Sequence, residues 1–543
     1  MTVGAAANVR SGAAWGRDTA EETIGGSVFR VYAARRRHVA DLLVDARRWH
    51  DRVHAVQDDR RLTFAEHETA VARTAGLLRE HGVGPGSQVV FLGRNRLECT
   101  LTFWAVHAIG AVAVLANAWW SAAEVAAAFS SFTPVLTVCD PDAAALLPAG
   151  ARALSFDQVA DATRDLARPE RIELPDVDEG APALVIFTSG STGAAKGVVL
   201  SQRSVIANLQ NLLLGTRRLP SELADDYDPG VNLLSVPLFH LSGVQVVCAG
   251  LLTGAKLVYQ AGRFDAGEVL RLVERERVTT WGAVPAMVTR VMEHPDFKGR
   301  DLTSLRSIPL GGSAANPGFR ERVQQSFPAL KGGGAGSLYG FTEAGGLVAM
   351  GTARELASRP GTVGKVLPIV DVRIDGADDT GSGEIVVHSP ATMSGFINGD
   401  PAPVDGYGWV RSGDVGHVDA DGYLYLTGRI KDIIIRGGEN ISCVHVEQAL
   451  IGHPEVAEVL VVGLPHDELQ EQVGAVVCLR PGATVGTEEL RAYAARSLGR
   501  FQLPTRWWLR STLLTTNAQG KIVRHLVRDE WLARGNRDLS DLD

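Results

Sequence analysis

Cysteine is scarce in this sequence and is not grouped. The five cysteines, Cys99, Cys139, Cys248, Cys443 and Cys478, are odd in number, widely spaced and form no CxxC or Cys/His cluster. A disulfide framework and a structural zinc site are therefore not indicated. Scattered free thiols favour a reducing compartment, so we expect a cytoplasmic protein.

An excess of positive charge is also lacking. The chain has 54 Lys and Arg residues against 62 Asp and Glu residues, which gives a formal net charge of −8. Such a protein has no general basic field of the kind that holds phosphate backbones. We therefore expect no nucleic-acid partner.

Long hydrophobic runs are nearly absent as well. The uncharged stretch 101–120 has the minimum length for a membrane span, but a glycine, Gly110, and two polar side chains interrupt it. We expect instead a helix that ends near Gly110, a short buried strand, and a new helix from Ser121 with Glu124 in its first turn. No stable membrane insertion is predicted. Residues 1–25 contain no apolar block of signal-peptide length and are predicted to be a flexible leader.

What the sequence does contain is the composition of a large globular protein. Of its 543 residues 45% are hydrophobic and 21% are charged, which is enough apolar material for an extensive core. Short Val/Ile/Leu runs alternate with helical stretches, at 88–93, 135–140, 183–188, 231–238, 255–260 and 278–284. Continuous apolar strands separated by helices indicate parallel sheets covered on both faces.

The texture changes twice towards the C-terminus. From about Gly364, closely spaced strands with turn signals predict an antiparallel ribbon or a distorted β-barrel. After Arg429 helices and strands alternate again, which predicts a compact α+β unit. The predicted fold class is α/β. We expect an N-terminal domain over 26–430, with two layered α/β subdomains and the distorted barrel, and a small mobile α+β domain over 431–543.

The segment 184–201 carries the most informative motif. A buried strand leads into small hydroxyl residues and glycines, followed by a lysine: Thr188, Ser189, Gly190, Ser191, Thr192, Gly193 and Lys196. These types let backbone N–H groups approach an anion closely, so the segment has the composition of a phosphate-binding loop. A flexible Ser/Gly turn is the structural alternative. It is not the P-loop of kinases, because Lys196 lies between Ala195 and Gly197.

This loop resembles the signature loop of the adenylate-forming superfamily, which includes acyl-CoA synthetases, luciferases and peptide-synthetase adenylation domains. The resemblance extends from about Arg36 to Leu532, and it implies that the loop holds the β- and γ-phosphates of ATP. One departure is Ala195, where the family usually has proline. Because alanine does not fix φ as proline does, we expect the backbone of this loop to be less restricted than in the usual family sequence.

Two further segments resemble nucleotide-binding motifs of this superfamily. In LYGFTEAGG, the resemblance implies that Tyr339 stacks on adenine beside Gly340, that Thr342 contacts the α-phosphate, and that Glu343 helps to hold Mg²⁺ together with Thr188. Upstream, PLGGSAANPG resembles the segment that lies against the other face of adenine. The small residues implied there are Gly312, Ser313 and Ala314.

Three charged residues complete the resemblance. Asp414 in WVRSGD corresponds to the aspartate that accepts hydrogen bonds from both ribose hydroxyls, and Arg429 to a second ribose or phosphate partner. Taken alone, Asp414 would more often be an Asx-turn residue. Lys521 resembles the catalytic lysine that bridges the substrate carboxylate and the α-phosphate, where its charge stabilises the transition state. The structural alternative for Lys521 is a solvated surface charge.

The resemblance implies a reaction in two halves. A carboxylate attacks MgATP to give an acyl-adenylate and pyrophosphate, and a thiol then displaces AMP after the C-terminal domain rotates about a hinge at Lys431. The CoA thiol would approach past Gly437 and Gly438, with Arg436 near a CoA phosphate. The alternative for these glycines is a turn that caps the next helix with Asn440. A carrier protein or an amine as acceptor, and a homodimer as assembly, stay open.

A further resemblance concerns the pocket for the acyl group. PLFHLSGVQVVCAGLL at 237–252 resembles the pocket lining, with His240 near the carboxylate and Trp281 and Gly334 as further walls. His240 has a structural alternative, because a lone histidine after an apolar run usually packs in the core. No Asp or Glu lies between Leu233 and Gly254 to pair with an α-ammonium group, so the predicted substrate is an apolar aryl or aliphatic acid. A non-catalytic nucleotide sensor is the competing function.

Overall fold

The computed structural model describes residues 14–189, 195–224, 226–311, 317–330, 335–378, 381–436, 439–514, 516 and 522–542. Its strands are β1 Thr19–Ile24, β2 Ser27–Tyr32, β3 Val53–Gln57, β4 Arg60–Thr63, β5 Gln88–Leu92, β6 Val112–Leu115, β7 Leu136–Cys139, β8 Ala153–Ser155, β9 Pro182–Ser189, β10 Ala195–Ser201, β11 Val231–Leu234, β12 Lys256–Tyr259, β13 Thr280–Trp281, β14 Leu310–Gly311, β15 Ser337–Phe341, β16 Gly346–Gly351, β17 Thr362–Val366, β18 Asp371–Asp375, β19 Gly383–His388, β20 Gly395–Phe396, β21 Trp409–Val418, β22 Tyr423–Arg429, β23 Ile433–Arg436, β24 Glu439–Ser442, β25 Val456–His466, β26 Gln470–Leu479, β27 Arg506–Arg510 and β28 Leu539–Asp541.

The helices separate and cover these strands. They are α1 Asp41–Asp45, α2 Phe64–Glu80, α3 Leu97–Ile109, α4 Ala122–Phe129, α5 Phe156–Ala162, α6 Gln202–Gly215, α7 Leu241–Leu252, α8 Ala266–Glu276, α9 Pro285–Met292, α10 Pro317–Ser326, α11 Ala353–Ser358, α12 Cys443–Ile451, α13 Thr487–Ala494 and α14 Arg524–Ala533.

Two sheets with parallel cores form the layered part of the chain. The first has the order β20-β10-β9-β6-β5-β7-β8, with β5 to β9 all parallel and β10 antiparallel to β9. The second has the order β13-β11-β12-β3-β4, and its first four strands are parallel. Each of the six apolar runs found in the sequence overlaps one of these strands. The prediction of layered α/β structure is confirmed.

A third sheet of eight strands is mainly antiparallel. Its order is β14-β15-β16-β17-β22-β21-β19-β18, and only the β14–β15 pairing within it is parallel. The antiparallel texture expected from Gly364 is present, but the sheet already begins at Leu310. Strands β14 and β15 are short and contain glycine, and the apolar run of β16 is only four residues long between two glycines, so the sequence pattern did not predict them.

The C-terminal part has a sheet and hydrophobic cores of its own. Strands β24-β23-β26-β27-β28 are paired in that order, and β25 pairs with β26. One cluster of buried side chains runs from Ile434 to Leu509, and a second, around Trp508 and Trp531, runs from Leu460 to Trp531. This is the small α+β unit that the sequence predicted.

The uncharged stretch 101–120 folds as expected. Helix α3 ends at Ile109, where Gly110 adopts the left-handed conformation at φ 80°, and β6 follows. Helix α4 begins after Ser121, whose side chain forms a capping box with Glu124. Within the part of the chain that the structure describes, no helix is both long and apolar enough to cross a membrane.

Two local expectations are wrong. Residues 14–25 belong to an ordered segment, because Trp15 is buried and β1 pairs with β2 in a hairpin, so the flexible leader does not reach residue 25. Gly25 and Gly26, both at positive φ, form the turn that closes this hairpin. Asn440 lies in β24, and helix α12 is capped by Ser442, whose hydroxyl accepts a hydrogen bond from the amide of His445.

Candidate active site

A contact between two motifs marks the centre of the site. Thr188 lies at the end of β9, and its hydroxyl donates to a carboxylate oxygen of Glu343 at 3.4 Å. Glu343 follows β15 in the short 3-10 helix Thr342–Ala344, and its carbonyl accepts a hydrogen bond from the amide of Met393. Two sheets therefore bring together residues that are 155 positions apart in sequence.

A second group of contacts fixes the predicted ribose residue. The phenol of Tyr339 donates to one oxygen of Asp414 at 2.8 Å, and Nε of Arg429 donates to the other at 2.6 Å. Asp414 and Arg429 face each other across the antiparallel pair β21–β22. The Asp414 side chain is only 6% exposed, whereas that of Arg429 is 60% exposed. Burial, and secondarily the charge of Asp414, raises the pKa of Tyr339 well above its ordinary value, so its phenol stays a donor.

The turn that carries Thr342 and Glu343 depends on glycine. At Gly340 a Cβ atom would lie 1.9 Å from the carbonyl oxygen of Gly346, so β15 and β16 approach too closely for any side chain. Gly345 has φ 73°, and a Cβ atom there would lie 1.7 Å from the carbonyl oxygen of Ala391. Steric crowding therefore explains why residue 340 is glycine.

Lys196 lies directly opposite Thr188 in the hairpin of β9 and β10, next to the paired residues Ser189 and Ala195. Its ammonium group is 3.5 Å from a carboxylate oxygen of Asp400 and lies over the ring of Phe396. The side chain is 31% exposed, so it remains accessible from the loop side. Lys196 and Thr188 therefore occupy paired positions on the two strands of this hairpin.

Ten of the predicted site residues lie outside the described residues. They are Gly190, Ser191, Thr192, Gly193, Gly312, Ser313, Ala314, Gly437, Gly438 and Lys521. Arg436, the neighbour of two of them, is described, and its guanidinium donates to the carbonyl of Phe501. Gly334, expected at the acyl pocket, also lies outside the described residues.

The acyl segment begins at the N-terminus of α7. His240 is the N-cap residue of this helix, and its ring lies edge-on to Phe239 at 4.6 Å between centroids. The side-chain amide of Asn95 holds the preceding turn, because it donates to the carbonyl of Val236 at 2.8 Å and accepts from the amide of Leu238 at 2.9 Å. Sequence reasoning missed Asn95, which is 143 positions away from Leu238.

A small cavity of about 20 Å³ adjoins this segment. It is lined by Arg94, Asn95, Trp119, Ser235, Pro237, Phe239, Gly262, Phe264 and Met287. Trp281, expected as a pocket wall, is fully buried instead and donates its indole N–H to the hydroxyl of Ser235 at 2.8 Å. Trp281 therefore supports the pocket through Ser235 and does not line this cavity.

A second residue missed in the sequence connects the two sides of the site. Asn208 of α6 is buried, and its side-chain oxygen accepts from the amide of Leu347 at 2.9 Å and from the amide group of Gln245 at 3.1 Å. Leu347 follows the Glu343 turn, and Gln245 lies in α7, one turn after His240. Asn208 lies outside every motif found in the sequence, so nothing in the sequence indicates such a role.

The oxygen atoms at the centre of the site suit a hard cation. Thr188 and Glu343 offer a hydroxyl and a carboxylate oxygen 3.4 Å apart. The described residues contain no group of three or more His, Cys, Asp or Glu side chains that could hold a metal. Mg²⁺ commonly uses one or two protein carboxylates and completes its shell with substrate phosphates and water, so these residues fit a nucleotide-bound Mg²⁺.

Comparisons with known proteins agree with this geometry. Residues 42–397 match the family model described as AMP-binding enzyme, and residues 445–521 match the AMP-binding enzyme C-terminal domain. A feruloyl-CoA synthase from Amycolatopsis is 34% identical over 474 residues, which cover 86% of this chain and 93% of that protein.

Two solved structures are similar over nearly their whole length. An o-succinylbenzoate CoA synthetase from Bacillus subtilis, in complex with its acyl-adenylate intermediate, has a TM-score of 0.75 and 27% identity over 90% of this chain and 98% of its own. An amide bond synthetase from Marinactinospora thermotolerans has a TM-score of 0.75 and 29% identity over 91% of this chain and 100% of its own. The chain therefore belongs to the AMP-binding enzyme family, as an acyl-CoA synthetase type of the adenylate-forming superfamily.

Proposed function

We propose that the protein activates an apolar carboxylic acid with ATP, forming an acyl-adenylate and pyrophosphate, and then transfers the acyl group to CoA with release of AMP. The observations that carry this proposal are two sets of contacts: Thr188 with Glu343, and both Tyr339 and Arg429 with Asp414. Tyr339, Asp414 and Arg429 lie in strands of the third sheet and Glu343 directly follows β15, whereas Thr188 reaches Glu343 from β9 of the first sheet.

In this proposal the Tyr339 group binds the nucleoside. Each carboxylate oxygen of Asp414 accepts one hydrogen bond from the protein and keeps a further lone pair for a ribose hydroxyl. Arg429 fixes the carboxylate through Nε. The other N–H groups of its guanidinium are proposed to donate to ribose or phosphate. Tyr339 is buried beside Asp414, where its ring offers a flat apolar surface to adenine.

Thr188 and Glu343 would hold Mg²⁺ beside the phosphates. A bound Mg²⁺ supplies charge neutralisation at the phosphate oxygens. Thr342 precedes Glu343 in the same 3-10 helix, so its hydroxyl is proposed to contact the α-phosphate. Lys196 and Lys521 supply the mobile positive charges, and Lys521 acts at the carboxylate that attacks the α-phosphorus.

The acid is proposed to be apolar and aromatic. The segment from 233 to 254 contains no carboxylate, and Trp119, Phe239, Phe264 and Met287 are among the residues that line the adjoining cavity, beside the polar residues Arg94, Asn95 and Ser235. The feruloyl-CoA synthase relative makes a hydroxycinnamate the first acid to test. His240, at the entrance of α7, is proposed to contact the carboxylate side of the acid.

CoA is the proposed acceptor, and an amine is the specific alternative. The amide bond synthetase is as similar in structure as the CoA synthetase, so the fold alone does not choose between thiol and amine. The Gly437-Gly438 pair and Arg436 favour an extended pantetheine arm with a terminal phosphate. We also propose that the hinge lies at 430–432, in the interval between the two family-model matches. The five free, buried cysteines support a cytoplasmic location.

Pyrophosphate exchange over a panel of acids tests the first half-reaction. The panel contains ferulate, benzoate, indoleacetate, octanoate and an amino acid, and we expect exchange with an apolar acid but not with the amino acid. AMP release is then measured with CoA or with an aryl amine as acceptor. If no acid drives exchange, the proposed function is wrong; if only the amine accelerates AMP release, the acceptor is wrong.

A substitution of Lys521 separates the two halves of the reaction. In Lys521→Ala, adenylate formation should fall by about 100- to 1,000-fold, because one preorganised charge at the transition state is lost. Thioester formation from a supplied acyl-adenylate should stay near the parent rate. An equal loss in both half-reactions would assign Lys521 a structural role.

A further inference from the structure

Helix α6 contacts the neighbourhood of the Glu343 turn through two polar side chains. Ser204 and Asn208 are four residues apart, so they lie on one face of the helix, one turn from each other. Both side chains are buried. Buried polar atoms are normally hydrogen-bonded, and each of these two side chains has a partner in a segment next to the Glu343 turn.

Ser204 supports one side of this turn indirectly. Its hydroxyl donates to the carbonyl of Thr392 at 3.1 Å. The amide of the next residue, Met393, donates to the carbonyl of Glu343 at 3.0 Å. The segment that contains Thr392 and Met393 therefore connects α6 to the backbone of the residue proposed to hold Mg²⁺.

Asn208 supports the other side of the turn directly. Its side-chain oxygen accepts from the amide of Leu347 at 2.9 Å, close to the point where the register of β15 and β16 shifts between Tyr339 and Gly340. Because a backbone N–H can only donate, the atom that faces Leu347 must be the oxygen, and this fixes the orientation of the side chain. At Gly346 a Cβ atom would lie 2.5 Å from the same oxygen, so the strand and the side chain are in direct contact.

The same oxygen atom also binds helix α7. It accepts from the side-chain amide of Gln245 at 3.1 Å, and Gln245 follows the N-cap residue His240 within the first half of this helix. A carbonyl oxygen has two lone pairs, so the two donors use its full capacity. One atom of Asn208 is thus shared between the strand after the Glu343 turn and the helix proposed to line the acid site.

We propose that Asn208 is a positioning residue for both substrates, acting on the nucleotide through the Glu343 turn and on the acid through α7. Ser204 acts on the nucleotide only, and Gln245 acts on the acid only. None of these three side chains is assigned a contact with a substrate or a reacting atom. The inference rests on the proposed function, because it takes Glu343 as a ligand of Mg²⁺ and α7 as a wall of the acid site.

Three single substitutions separate these actions in the pyrophosphate-exchange assay, with the acid that gives the fastest exchange. Asn208→Ala should slow exchange by about tenfold, the order expected when a buried donor is left unpaired, and should raise both the Mg²⁺ concentration for half-maximal rate and the KM for the acid. Ser204→Ala should raise only the Mg²⁺ requirement. Gln245→Met, which keeps the length of the side chain, should raise only the KM for the acid. Adding Gln245→Met to Asn208→Ala should cause no further loss, because the partner of Gln245 is already gone.

A matched substitution on the same helix controls for destabilisation of α6. Asn211→Ala removes a buried asparagine whose side-chain oxygen accepts from the phenol of Tyr32 at 2.7 Å. It should lower the free energy of unfolding, as measured with urea, but leave the Mg²⁺ requirement and the acid KM at the parent values. The proposal is wrong if Asn208→Ala and Asn211→Ala change these two parameters alike, or if Gln245→Met alters the Mg²⁺ requirement as much as the acid KM.

Hydrogen–deuterium exchange tests the geometry without any acid. In Asn208→Ala the amide of Leu347 loses its acceptor, so the peptide spanning 343–350 should take up deuterium about tenfold faster than in the parent, whereas Asn211→Ala should leave its rate unchanged. Equal protection of this peptide in the parent and in Asn208→Ala would refute the anchoring role. If no acid drives pyrophosphate exchange in the parent, the proposed function fails, while deuterium uptake still decides whether Asn208 anchors this strand.

Discussion

The proposed nucleotide side and the proposed acyl side of the site are built by different kinds of interaction. On the nucleotide side, Asp414 accepts charged and neutral hydrogen bonds from Arg429 and Tyr339 at 2.6 and 2.8 Å, and strand register sets these partners. On the acyl side, Phe239 and its neighbours line a cavity of about 20 Å³. The side chain of Asn95 fixes the backbone of this segment by hydrogen bonds to Val236 and Leu238. The first side is defined by specific polar atoms, and the second by the shape of packed apolar groups.

This difference explains why the sequence identifies the family but not the acid. Replacing a polar partner leaves a buried charge unsatisfied, so few residue types are tolerated at such positions. Exchanging one apolar side chain for another of similar volume costs little in stability and still changes the shape of a cavity. Motifs therefore identify the nucleotide chemistry, whereas the acid is set by packing.

Removing Asp414, the proposed acceptor for the ribose hydroxyls, should have the largest effect. Asp414→Ala leaves Arg429 and Tyr339 without their shared partner, and kcat/KM for ATP should fall by about 100- to 1,000-fold, the range for breaking a buried charged contact. The KM for the acid should change little, as measured by pyrophosphate exchange. Asp371→Ala, at an exposed carboxylate of β18 paired with Arg30, is the control and should leave exchange intact. A larger change in the acid KM than in the ATP KM would contradict the assignment of Asp414.

Changing the carboxylate at the centre should have a smaller but diagnostic effect. Glu343→Gln keeps the shape and an acceptor for Thr188, but it removes the negative charge proposed to hold Mg²⁺. We expect about 100-fold slower exchange, of the order seen when one electrostatic group is lost from a site, and a higher Mg²⁺ concentration for half-maximal rate. An unchanged Mg²⁺ dependence would show that Glu343 supports the turn only.

On the acyl side a substitution should alter selectivity more than chemistry. His240→Ala opens the entrance of α7 without touching the Asp414 group, so the ranking of acids in the exchange panel should change. For the best acid we expect about tenfold lower kcat/KM, comparable with the loss of one or two apolar or hydrogen-bonding contacts, and an unchanged KM for ATP. If His240→Ala weakens ATP binding as much as acid binding, the separation between the two sides does not hold.

Two buried histidines make the free energy of unfolding depend on pH. Burial lowers the pKa of His54 to about 4 and that of His107 to about 3. The unfolded chain binds these protons near pH 6.5, so the contribution of each histidine to stability is fully present above that value. It falls as the pH drops from about 6.5 to about 4 for His54 and to about 3 for His107.

His107 offers the cleaner substitution, because among the residues that the structure describes neither of its ring nitrogens has a hydrogen-bond partner. His107→Leu should reduce the stability lost between pH 7.5 and pH 5 by about 2 kcal/mol, as measured by urea unfolding at both values. Activity at neutral pH should be unchanged. His445→Gln, at an exposed histidine of α12, serves as the control. An equal pH response in the parent and in His107→Leu would show that other groups dominate.

Much of the fold was predictable because local signals were strong. The end of α3 at Gly110 and the start of α4 at Ser121 follow from a left-handed glycine and a capping box, both of which are local in sequence. The early strands β14 to β16 were missed because pairing with neighbours, not apolar periodicity, makes them strands. The hairpin of residues 19–32 was missed because its Gly-Gly turn lies among residues of leader-like composition.

The candidate site was predicted in parts and not as an arrangement. Thr188, Glu343, Tyr339, Asp414 and Arg429 were all named from motifs, but their mutual contacts required the sheets. Asn95 and Asn208 were missed, because both lie outside every motif found in the sequence.

The sequence by itself determined the layered α/β class, the order of the nucleotide motifs and the absence of carboxylates from the acyl segment, since each depends on residue types and short spacings. Only the tertiary structure decided that Asp414 faces Arg429 across a strand pair, that Trp281 supports the pocket from behind, and that Asn208 contacts Leu347. These facts depend on strand register and on contacts between residues up to 139 positions apart, and chain folding, not local preference, sets such distances.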